Sequence, residues 1–351
     1  MQNSTMKIAI HRNDKSYSKY WEEYCIANHI DYIMVNAYDT DIIRQVADCD
    51  IFMWHFHQLD YRDMLFAKPL LFSLEEAGKI VFPDIATGWH FDDKLGQKYL
   101  FEAMGIKAAQ SFAFYDKQTA EQWAESAVFP KVFKLRGGAG SSNVRLAHNK
   151  QEAKQLIATA FSEKGFPPYQ GMERVKRVLK GWSHSEMSVR NVFAAFCRLF
   201  VKPAAYRLLP KQNGYAYFQE FIPNDGFDYR IEIAGGKAIA LVRYCRKNDF
   251  RASGGHNDHF EKELIQPDVI AFAFDVVDKL KMQSAALDIV RNNQTGELYV
   301  IEISYCYGVD DDEFEHGYWT RDGKWHNEPF NGIHWIIEGA IEAYQKKQAW
   351  L

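Results

Sequence analysis

The chain has 351 residues, of which 47% are hydrophobic and 25% are charged, the balance of an ordinary soluble globular protein with two or three packed units. The formal net charge of −4 gives no reason to expect nucleic acid or an anionic membrane as a partner. No apolar run approaches the roughly 18 residues of a transmembrane helix. Five cysteines are scattered without a C-x-x-C pair, so we expect a reduced, cytoplasmic location and no thiolate zinc site.

The first 88 residues alternate short β-prone runs with helical patterns. The β-prone runs are Lys7–His11, Asp31–Asn36, Asp50–Phe56 and Lys79–Pro83. Strand–helix alternation at this spacing predicts a small parallel α/β domain.

A helix is predicted next, over Asp92–Gly105, with Leu95, Tyr99 and Leu100 on one face and a glycine at its end. A strand and a helix follow. The chain then reaches "KVFKLRGGAGSSNV", a strand that enters a loop of small residues and leaves it as another strand. Backbone N–H groups of such a loop suit an anion, although an ordinary hairpin has the same composition. Lys134 precedes the glycines and no helix follows, so the loop is not a P-loop.

Residues 162–214 form a basic segment with helical patterns. It carries many more lysines and arginines than acids. Two interpretations stay open, a solvated helical cap or a recognition element for an anionic acceptor.

Beyond this segment, strands alternate again, with a hairpin turn predicted at Gly235–Gly236. In "AALDIVRNNQTGELYVIEISY", Asp288 and Glu302 lie in two apolar strands joined by a turn. Adjacent antiparallel strands can place both carboxylates on one face, where two oxygen donors suit Mg²⁺. The alternative is that each acid forms an ion pair with a neighbouring lysine or arginine.

Five stretches, read in order, carry a family resemblance: "FDDKLGQKYLFEAMGI", "PKVFKLRGGAGSSNV", "YFQEFIPNDGFDYRIEIAGGKAIALVRY", "NDFRASGGH" and "LDIVRNNQTGELYVIEISYCYG". From Asp92 to Gly308 the chain resembles the ATP-grasp superfamily. The nearest likeness is to the carboxylate–amine ligase branch with the RimK-like ligases, D-alanine–D-alanine ligase and glutathione synthetase. The resemblance implies an α/β (α+β ATP-grasp) fold: an N-terminal parallel α/β domain, then two α+β subdomains that clasp ATP between antiparallel sheets. The domains are expected at 1–88, 89–214 and 215–351.

The resemblance also implies roles for individual residues. Lys94 and Lys134 would bind the α- and β-phosphates, and the segment Gln219–Ile222 would be the hinge strand at the adenine. Asp288 and Glu302 would hold one or two Mg²⁺ ions, with Mn²⁺ as an alternative metal. The glycine-rich lid over the β- and γ-phosphates would comprise Gly137, Gly138, Gly140, Ser141 and Ser142. The other expected nucleotide contacts are Gln219, Glu220, Phe221, Ile222 and Asp228, and the cations around the γ-phosphate and acyl phosphate are Arg230, Arg243 and Arg251.

One departure from the superfamily concerns the metal site. Many members have Glu-x-Asn, whereas this chain has Glu302-Ile303-Ser304. Serine is a shorter, neutral ligand, so Ser304 would bind metal less directly or through water. The combination of "NDFRASG" with "EISY" resembles a subgroup associated with bacterial cell-surface polysaccharide genes.

The implied reaction is ATP- and Mg²⁺-dependent ligation of a small-molecule carboxylate to an amine through an acyl phosphate, with release of ADP and phosphate. The related ligases are often oligomers, so a homo-oligomer is a further expectation. Two alternatives are a kinase of the same fold that phosphorylates a hydroxyl, and a nucleotide-binding regulatory protein without turnover.

Four other residues have two interpretations each. His256 is a substrate ligand or a structural loop residue. His55 and His57 follow a predicted strand, where ligand residues often occur, but both can equally be structural. Cys306 is expected to be a packed apolar side chain, with a nucleophilic role as the alternative.

Overall fold

A computed structural model describes residues 6–138, 144–168, 208–246, 249–255, 257–308 and 314–350. The chain divides into two compact units. The first unit comprises Met1–His57, Arg62–Ala109 and Ile222–Leu351, and the second comprises Gln58–Tyr61 and Gln110–Phe221. The division into domains at 1–88, 89–214 and 215–351 stays a prediction. Residues 169–207, the larger part of the basic segment, lie outside the described residues.

The first unit begins with a parallel sheet, as predicted. Its strands are β1 (Lys7–His11), β2 (Asp31–Val35), β3 (Ile51–Met53) and β4 (Ile80–Phe82), and their order is β2-β1-β3-β4. All neighbours are parallel. The predicted third strand is longer than the observed one, because β3 pairs with its neighbours only over Ile51–Met53. The accompanying helices are α1 (Ser18–Ala27), α2 (Ile42–Gln45), α3 (Tyr61–Glu76) and α4 (Ile85–Gly88).

Helix α5 (Lys94–Ala103) follows the parallel sheet. The Asp93 carboxylate caps it by accepting a hydrogen bond from the Gly96 N–H at 2.9 Å. The predicted apolar face is wrong in one position, since Tyr99 is 48% exposed. The buried residues are Lys94, Leu95, Gln97 and Phe101. Tyr99 lies two residues from Gln97, and two residues correspond to about 200° of rotation around a helix.

The second unit contains a four-stranded antiparallel sheet. Its elements are β5 (Ser111–Phe114), α6 (Lys117–Ser126), β6 (Lys131–Lys134), β7 (Val144–Ala147), α7 (Lys150–Ala160) and β8 (Ala216–Glu220). The strand order is β5-β8-β6-β7. Phe133 and Phe218 on the sheet pack with Ala153 and Ile157 of α7 in a separate hydrophobic core.

A larger antiparallel sheet completes the first unit, in the order β13-β12-β9-β10-β14-β15 with β11 paired to β10. The predicted turn at Gly235–Gly236 is confirmed, since both glycines have positive φ (55° and 73°). A 3₁₀ helix (Lys262–Leu264) lies outside this sheet. The remaining elements are β9 (Phe227–Ala234), β10 (Lys237–Tyr244), β11 (Asp258–His259), α8 (Pro267–Leu280), β12 (Ser284–Arg291), β13 (Leu298–Ser304), β14 (Tyr318–Thr320), β15 (Trp325–His326) and α9 (Gly332–Trp350).

The two sheets of the first unit share one hydrophobic core. The Tyr17 hydroxyl donates to the Tyr307 carbonyl at 2.7 Å, and the Tyr305 hydroxyl donates to the Phe56 carbonyl at 2.5 Å. These bonds fix the segment after β13 against the start of α1 and against the segment that follows β3. Across the described ranges, no helix combines the length and the apolarity that a membrane span requires.

Candidate functional site

Charged residues collect on one face of the large antiparallel sheet, at the centre of the first unit. Asp288 on β12 lies opposite Glu302 on β13 and opposite Arg230 on β9. Residues directly opposite in antiparallel strands share a face, so all three side chains are neighbours. The prediction that Asp288 and Glu302 lie on one face of adjacent strands is confirmed. A β-bulge between Asp288 and Ile289 marks the place where the pairing shifts.

Asp288 is bound by two arginines. Its Oδ1 accepts from Arg230 Nη1 at 2.8 Å and lies 2.9 Å from Arg243 Nη2. Burial alone would raise the pKa of Asp288, but the two guanidiniums outweigh it and lower the pKa to about 2. Asp288 is therefore ionised at neutral pH.

Arg243 joins a second carboxylate to the cluster. Its Nε and Nη2 donate to the two oxygens of Asp228 at 2.8 and 2.9 Å, the bidentate geometry that guanidinium favours. Burial raises the pKa of Asp228 to about 6, although Arg243 acts in the opposite direction. In the structure Asp228 holds Arg243 in place, and the contact expected between Asp228 and the nucleotide stays a prediction.

Glu232 is the third carboxylate of the cluster. It is 4% exposed, and its Oε1 accepts from Arg230 Nε at 3.0 Å. Burial raises the pKa of Glu232, with Arg230 acting in the opposite direction. Sequence reasoning missed this residue. The signal was present, because Asp228, Arg230 and Glu232 alternate along one strand and so share a face.

Lys94, the first residue of α5, lies at the same site. It is 4% exposed, and its Nζ lies 2.8 Å from Glu302 Oε1. Burial alone would lower the pKa of Lys94, but the neighbouring Glu302 and Asp92 carboxylates raise it. The ammonium group is thus held charged beside a carboxylate whose side chain is 33% exposed.

Asp288 and Glu302 present the oxygen ligands that Mg²⁺ uses in proteins. Asp288 is ionised, and Glu302 presents a second carboxylate directly across the strand pair. Mg²⁺ commonly uses one or two protein carboxylates and completes its shell with waters and substrate phosphates, so these residues fit. Both acids also form the ion pairs that the alternative interpretation expects. No group of three or more His, Cys, Asp or Glu side chains in the described part of the chain is arranged for a metal.

Ser304 and Cys306 lie at the end of β13. Ser304 Oγ accepts from the Cys306 N–H at 3.3 Å and lies 3.8 Å from Cys306 Sγ. Cys306 is buried, and burial raises the pKa of its thiol to about 12. The thiol is therefore neutral at physiological pH, as expected of a packed side chain.

Arg251 lies after β10 and pairs with Asp249. Its Nη2 and Nε donate to the Asp249 carboxylate at 2.7 and 2.9 Å. Asp249, two residues earlier in the chain, was not predicted as its partner. His256 lies outside the described residues.

His55 follows strand β3, in a largely apolar setting. Its Nδ1 lies 2.6 Å from Ser16 Oγ, and its ring stacks on Tyr17 with centroids 3.7 Å apart. Burial, and to a smaller extent His57, lowers the pKa of His55 to about 3, so the ring is neutral. The His57 N–H donates to Asp63 Oδ2 at 2.7 Å.

In the second unit, two lysines lie on β6. Lys134 is 4% exposed and ends the strand, three residues before Gly137. Lys131 is also buried and forms an ion pair with Glu220, its partner across β6 and β8. Sequence reasoning missed Lys131, although it stands beside Lys134 in the quoted motif.

The predicted lid is described only in part. Gly138 has φ of 122°, a conformation that favours glycine. The Arg136 N–H donates to the Tyr215 hydroxyl at 2.7 Å, which fixes the loop where it leaves β6. Gly140, Ser141 and Ser142 lie outside the described residues.

The predicted hinge strand is shorter than expected. Strand β8 ends at Glu220, so Phe221 and Ile222 follow it without regular structure, and the division between the two units falls between them. Gln219 is buried, and its Nε2 donates to Ser111 Oγ at 3.3 Å.

Comparison with known proteins supports the resemblance. Residues 93–192 match the family model described as the carbamoyl-phosphate synthase L chain, ATP binding domain. No curated protein matches the sequence.

Three solved structures are similar to this chain. A RimK domain ATP-grasp protein from Sphaerobacter thermophilus is 12% identical, with 85% of this chain and 90% of that one covered and a TM-score of 0.50. D-alanine–D-alanine ligase from Bacillus anthracis, complexed with ATP, is 13% identical, with 97% and 99% covered and a TM-score of 0.50. The biotin carboxylase domain of 2-oxoglutarate carboxylase from Hydrogenobacter thermophilus, a dimer in complex with MgADP, is 12% identical, with 95% and 69% covered and a TM-score of 0.53. The expected fold is thus confirmed, and the chain has the ATP-grasp fold.

Proposed function

We propose that this protein is an ATP- and Mg²⁺-dependent ligase that joins a carboxylate to an amine. The observation that carries the proposal is the cluster on the large sheet of the first unit. There an ionised Asp288 lies between Arg230 and Glu302, and a buried Lys94 pairs with Glu302. The similar structures with bound nucleotide, one of them with MgADP, support the same nucleotide and metal here.

The proposed roles follow from charge and burial. Lys94 and Lys134 bind phosphate oxygens of ATP as point charges. Arg230, Arg243 and Arg251 neutralise negative charge on the transferred phosphoryl group and the acyl phosphate. Arg230 suits this role because Asp288 and Glu232 bind its Nη1 and Nε and thereby fix the plane of the guanidinium. The lid comprises Gly137, Gly138, Gly140, Ser141 and Ser142, and Gln219, Glu220, Phe221 and Ile222 contact the adenine.

Asp288 and Glu302 would hold Mg²⁺, with Ser304 as a further oxygen ligand. Bound there, the metal supplies positive charge that stabilises the phosphates during transfer. No protein nucleophile is required for the reaction. A substrate carboxylate oxygen attacks the γ-phosphorus and ADP leaves; the amine nitrogen then attacks the acyl carbon, and phosphate leaves with the C–O bonding electrons. The residues accelerate both steps by position and electrostatics.

The test uses hydroxylamine as a trap for an acyl phosphate. Purified protein is incubated with MgATP, hydroxylamine and fractions of carboxylic acids from a bacterial extract. We expect ADP release that depends on one fraction, together with a hydroxamate whose mass identifies the acid. Release of ADP with a phosphorylated alcohol and no hydroxamate would favour the kinase alternative instead. ADP binding without turnover of ATP would favour the regulatory alternative, which the replacement of the usual asparagine by Ser304 motivates.

A further inference from the structure

Glu232 carries a carboxylate oxygen that the described residues leave without a partner. Oε1 accepts from Arg230 Nε, whereas Oε2 is buried and has no hydrogen-bond partner in the described part of the chain. A buried carboxylate oxygen without a donor costs several kcal/mol unless a partner compensates it. Glu232 Oε2 therefore suits a ligand that supplies a hydrogen-bond donor.

The charges around Glu232 favour a cationic donor. Three carboxylates, those of Asp228, Glu232 and Asp288, share only two guanidiniums, those of Arg230 and Arg243. With all five groups ionised and no metal at Asp288, these side chains carry one formal negative charge. A positively charged donor is therefore favoured over a neutral one at Glu232 Oε2, the carboxylate oxygen that no guanidinium contacts in the described part of the chain.

The two residues directly opposite Glu232 on the neighbouring strands, Ala286 and Ile239, are uncharged. In the pairing register Glu232 lies opposite Ala286, and Ala286 lies opposite Ser304, so these three side chains form one row across β9, β12 and β13. Arg230 precedes Glu232 by two residues on the same face, a distance of about 7 Å along a strand. A group bound at Glu232 Oε2 therefore lies next to the arginine that the proposed function assigns to the acyl phosphate.

We propose that Glu232 binds the primary ammonium group of the amine substrate, an inference that rests on the proposed ligase function. A primary ammonium has three N–H donors and a positive charge, so it supplies the hydrogen-bond donor that Glu232 Oε2 lacks among the described residues.

The binding test needs no knowledge of the natural substrate. Saturation-transfer NMR is recorded at pH 7.5 for ethylammonium in the presence of MgADP, with wild type, Glu232→Gln and the control Glu342→Gln. Glu342 lies on α9 with an exposed side chain. We expect saturation transfer to ethylammonium with wild type and the control, and at least a fivefold weaker signal with Glu232→Gln. Tetramethylammonium, which has the charge without N–H donors, should give no difference between the three proteins.

Equal transfer to ethylammonium in all three proteins, or none in wild type, would overturn the proposal. A melting curve of Glu232→Gln shows whether this isosteric variant is folded.

A catalytic comparison separates this inference from the proposed function. Hydroxylamine is a neutral nucleophile at pH 8, whereas most primary amines are cations there. A bound ammonium must lose one proton before its nitrogen attacks the acyl carbon, and the Glu232 carboxylate that binds it accepts that proton. In Glu232→Gln, the ratio of amide to hydroxamate should fall at least tenfold relative to wild type. An unchanged ratio would show that Glu232 only supports Arg230, which contradicts the assignment. Absence of hydroxamate in wild type would contradict the proposed function itself, while the ethylammonium result would still decide whether Glu232 binds ammonium groups.

Discussion

Lys94 Nζ lies 2.8 Å from Glu302 Oε1, which ties the first residue of helix α5 to strand β13 of the large sheet. Both residues were assigned to the nucleotide and metal site from widely separated motifs. Their contact places the two motifs at one position within the first unit, beside Asp288. Four predictions follow, for Glu302, for Lys134, for Asp228 and for the turn at Gly235–Gly236.

Substitution Glu302→Gln should reduce ATP turnover by about 100-fold or more, because it removes a carboxylate from the site proposed for Mg²⁺. The free energy of unfolding should fall by about 1–3 kcal/mol, because the buried Lys94 ammonium keeps a neutral oxygen in place of its carboxylate partner, whose side chain is one third exposed. ADP release and urea denaturation measure the two effects. The control is Glu297→Gln, which affects an exposed ion pair with Lys107 just before the same strand. Undiminished turnover in Glu302→Gln would refute the metal assignment.

Substitution Lys134→Met should weaken ADP binding about tenfold, equivalent to about 1.4 kcal/mol, because the buried ammonium is proposed to bind phosphate. Methionine has a similar length without the charge, so packing on β6 should be retained. Isothermal titration with MgADP measures the affinity, and Lys150→Met at an exposed position serves as the control. The same affinity in both variants would remove Lys134 from the nucleotide site.

Asp228 and Asp288 should respond to pH in opposite directions in metal-free protein. The folded-state pKa of Asp288, about 2, lies below its ordinary value of 3.8. The stabilisation that ionised Asp288 gives the folded protein is therefore lost as pH falls from 3.8 towards 2. The folded-state pKa of Asp228, about 6, lies above 3.8, so its contribution is present below pH 3.8 and is lost as pH rises through 6.

Substitution Asp228→Asn removes the pH dependence of stability that comes from Asp228. Between pH 4 and pH 6.5, the stability of wild type relative to the variant should fall by roughly 2–3 kcal/mol. Denaturant unfolding in the presence of a chelator, repeated across this range, measures the difference. A constant difference would show that Asp228 keeps an ordinary pKa in the folded protein.

The two glycines between β9 and β10 should differ in their tolerance of alanine. Both have positive φ, so either substitution should cost about 1 kcal/mol through backbone strain. A Cβ on Gly235 would also lie 3.2 Å from Trp335 Cβ and 3.3 Å from its carbonyl oxygen, whereas nothing lies within 4 Å of a Cβ on Gly236. Gly235→Ala should therefore be less stable than Gly236→Ala, as thermal unfolding can measure. Equal melting temperatures would mean that Trp335 on α9 can shift to make room for the added methyl group without loss of stability.

The alternation of side chains between the two faces of a strand predicted the part of the site that lies on the long strands β12 and β13. Asp288 and Glu302 could be placed on one face because both stand in apolar runs joined by a short turn. The partners of the charged residues could not be found in this way. The Arg243–Asp228 pair depends on the register of β9 against β10. The turn at Gly235–Gly236 sets this register, but no sequence motif marks the two residues as partners.

Short elements and helix faces were the least predictable. Strands β14 and β15 have three and two residues, too few for alternation to appear in the sequence. Tyr99 was assigned to the buried face of α5, where Lys94 and Gln97 are buried instead. Both are polar and both bind partners on β13: Lys94 pairs with Glu302, and Gln97 Nε2 donates to the Ile303 carbonyl at 2.7 Å. An apolar pattern could not reveal them.

The most direct test of the ligase account follows the oxygen of the acid. The carboxylic acid fraction that supports ADP release is labelled with ¹⁸O and supplied with MgATP and the amine fraction, and the released phosphate is analysed by mass spectrometry. If an acyl phosphate forms and an amine displaces phosphate from it, one ¹⁸O atom passes from each acid molecule into phosphate. Unlabelled phosphate in the presence of full ADP release would contradict the account, because ATP would then have been split without activating a carboxylate.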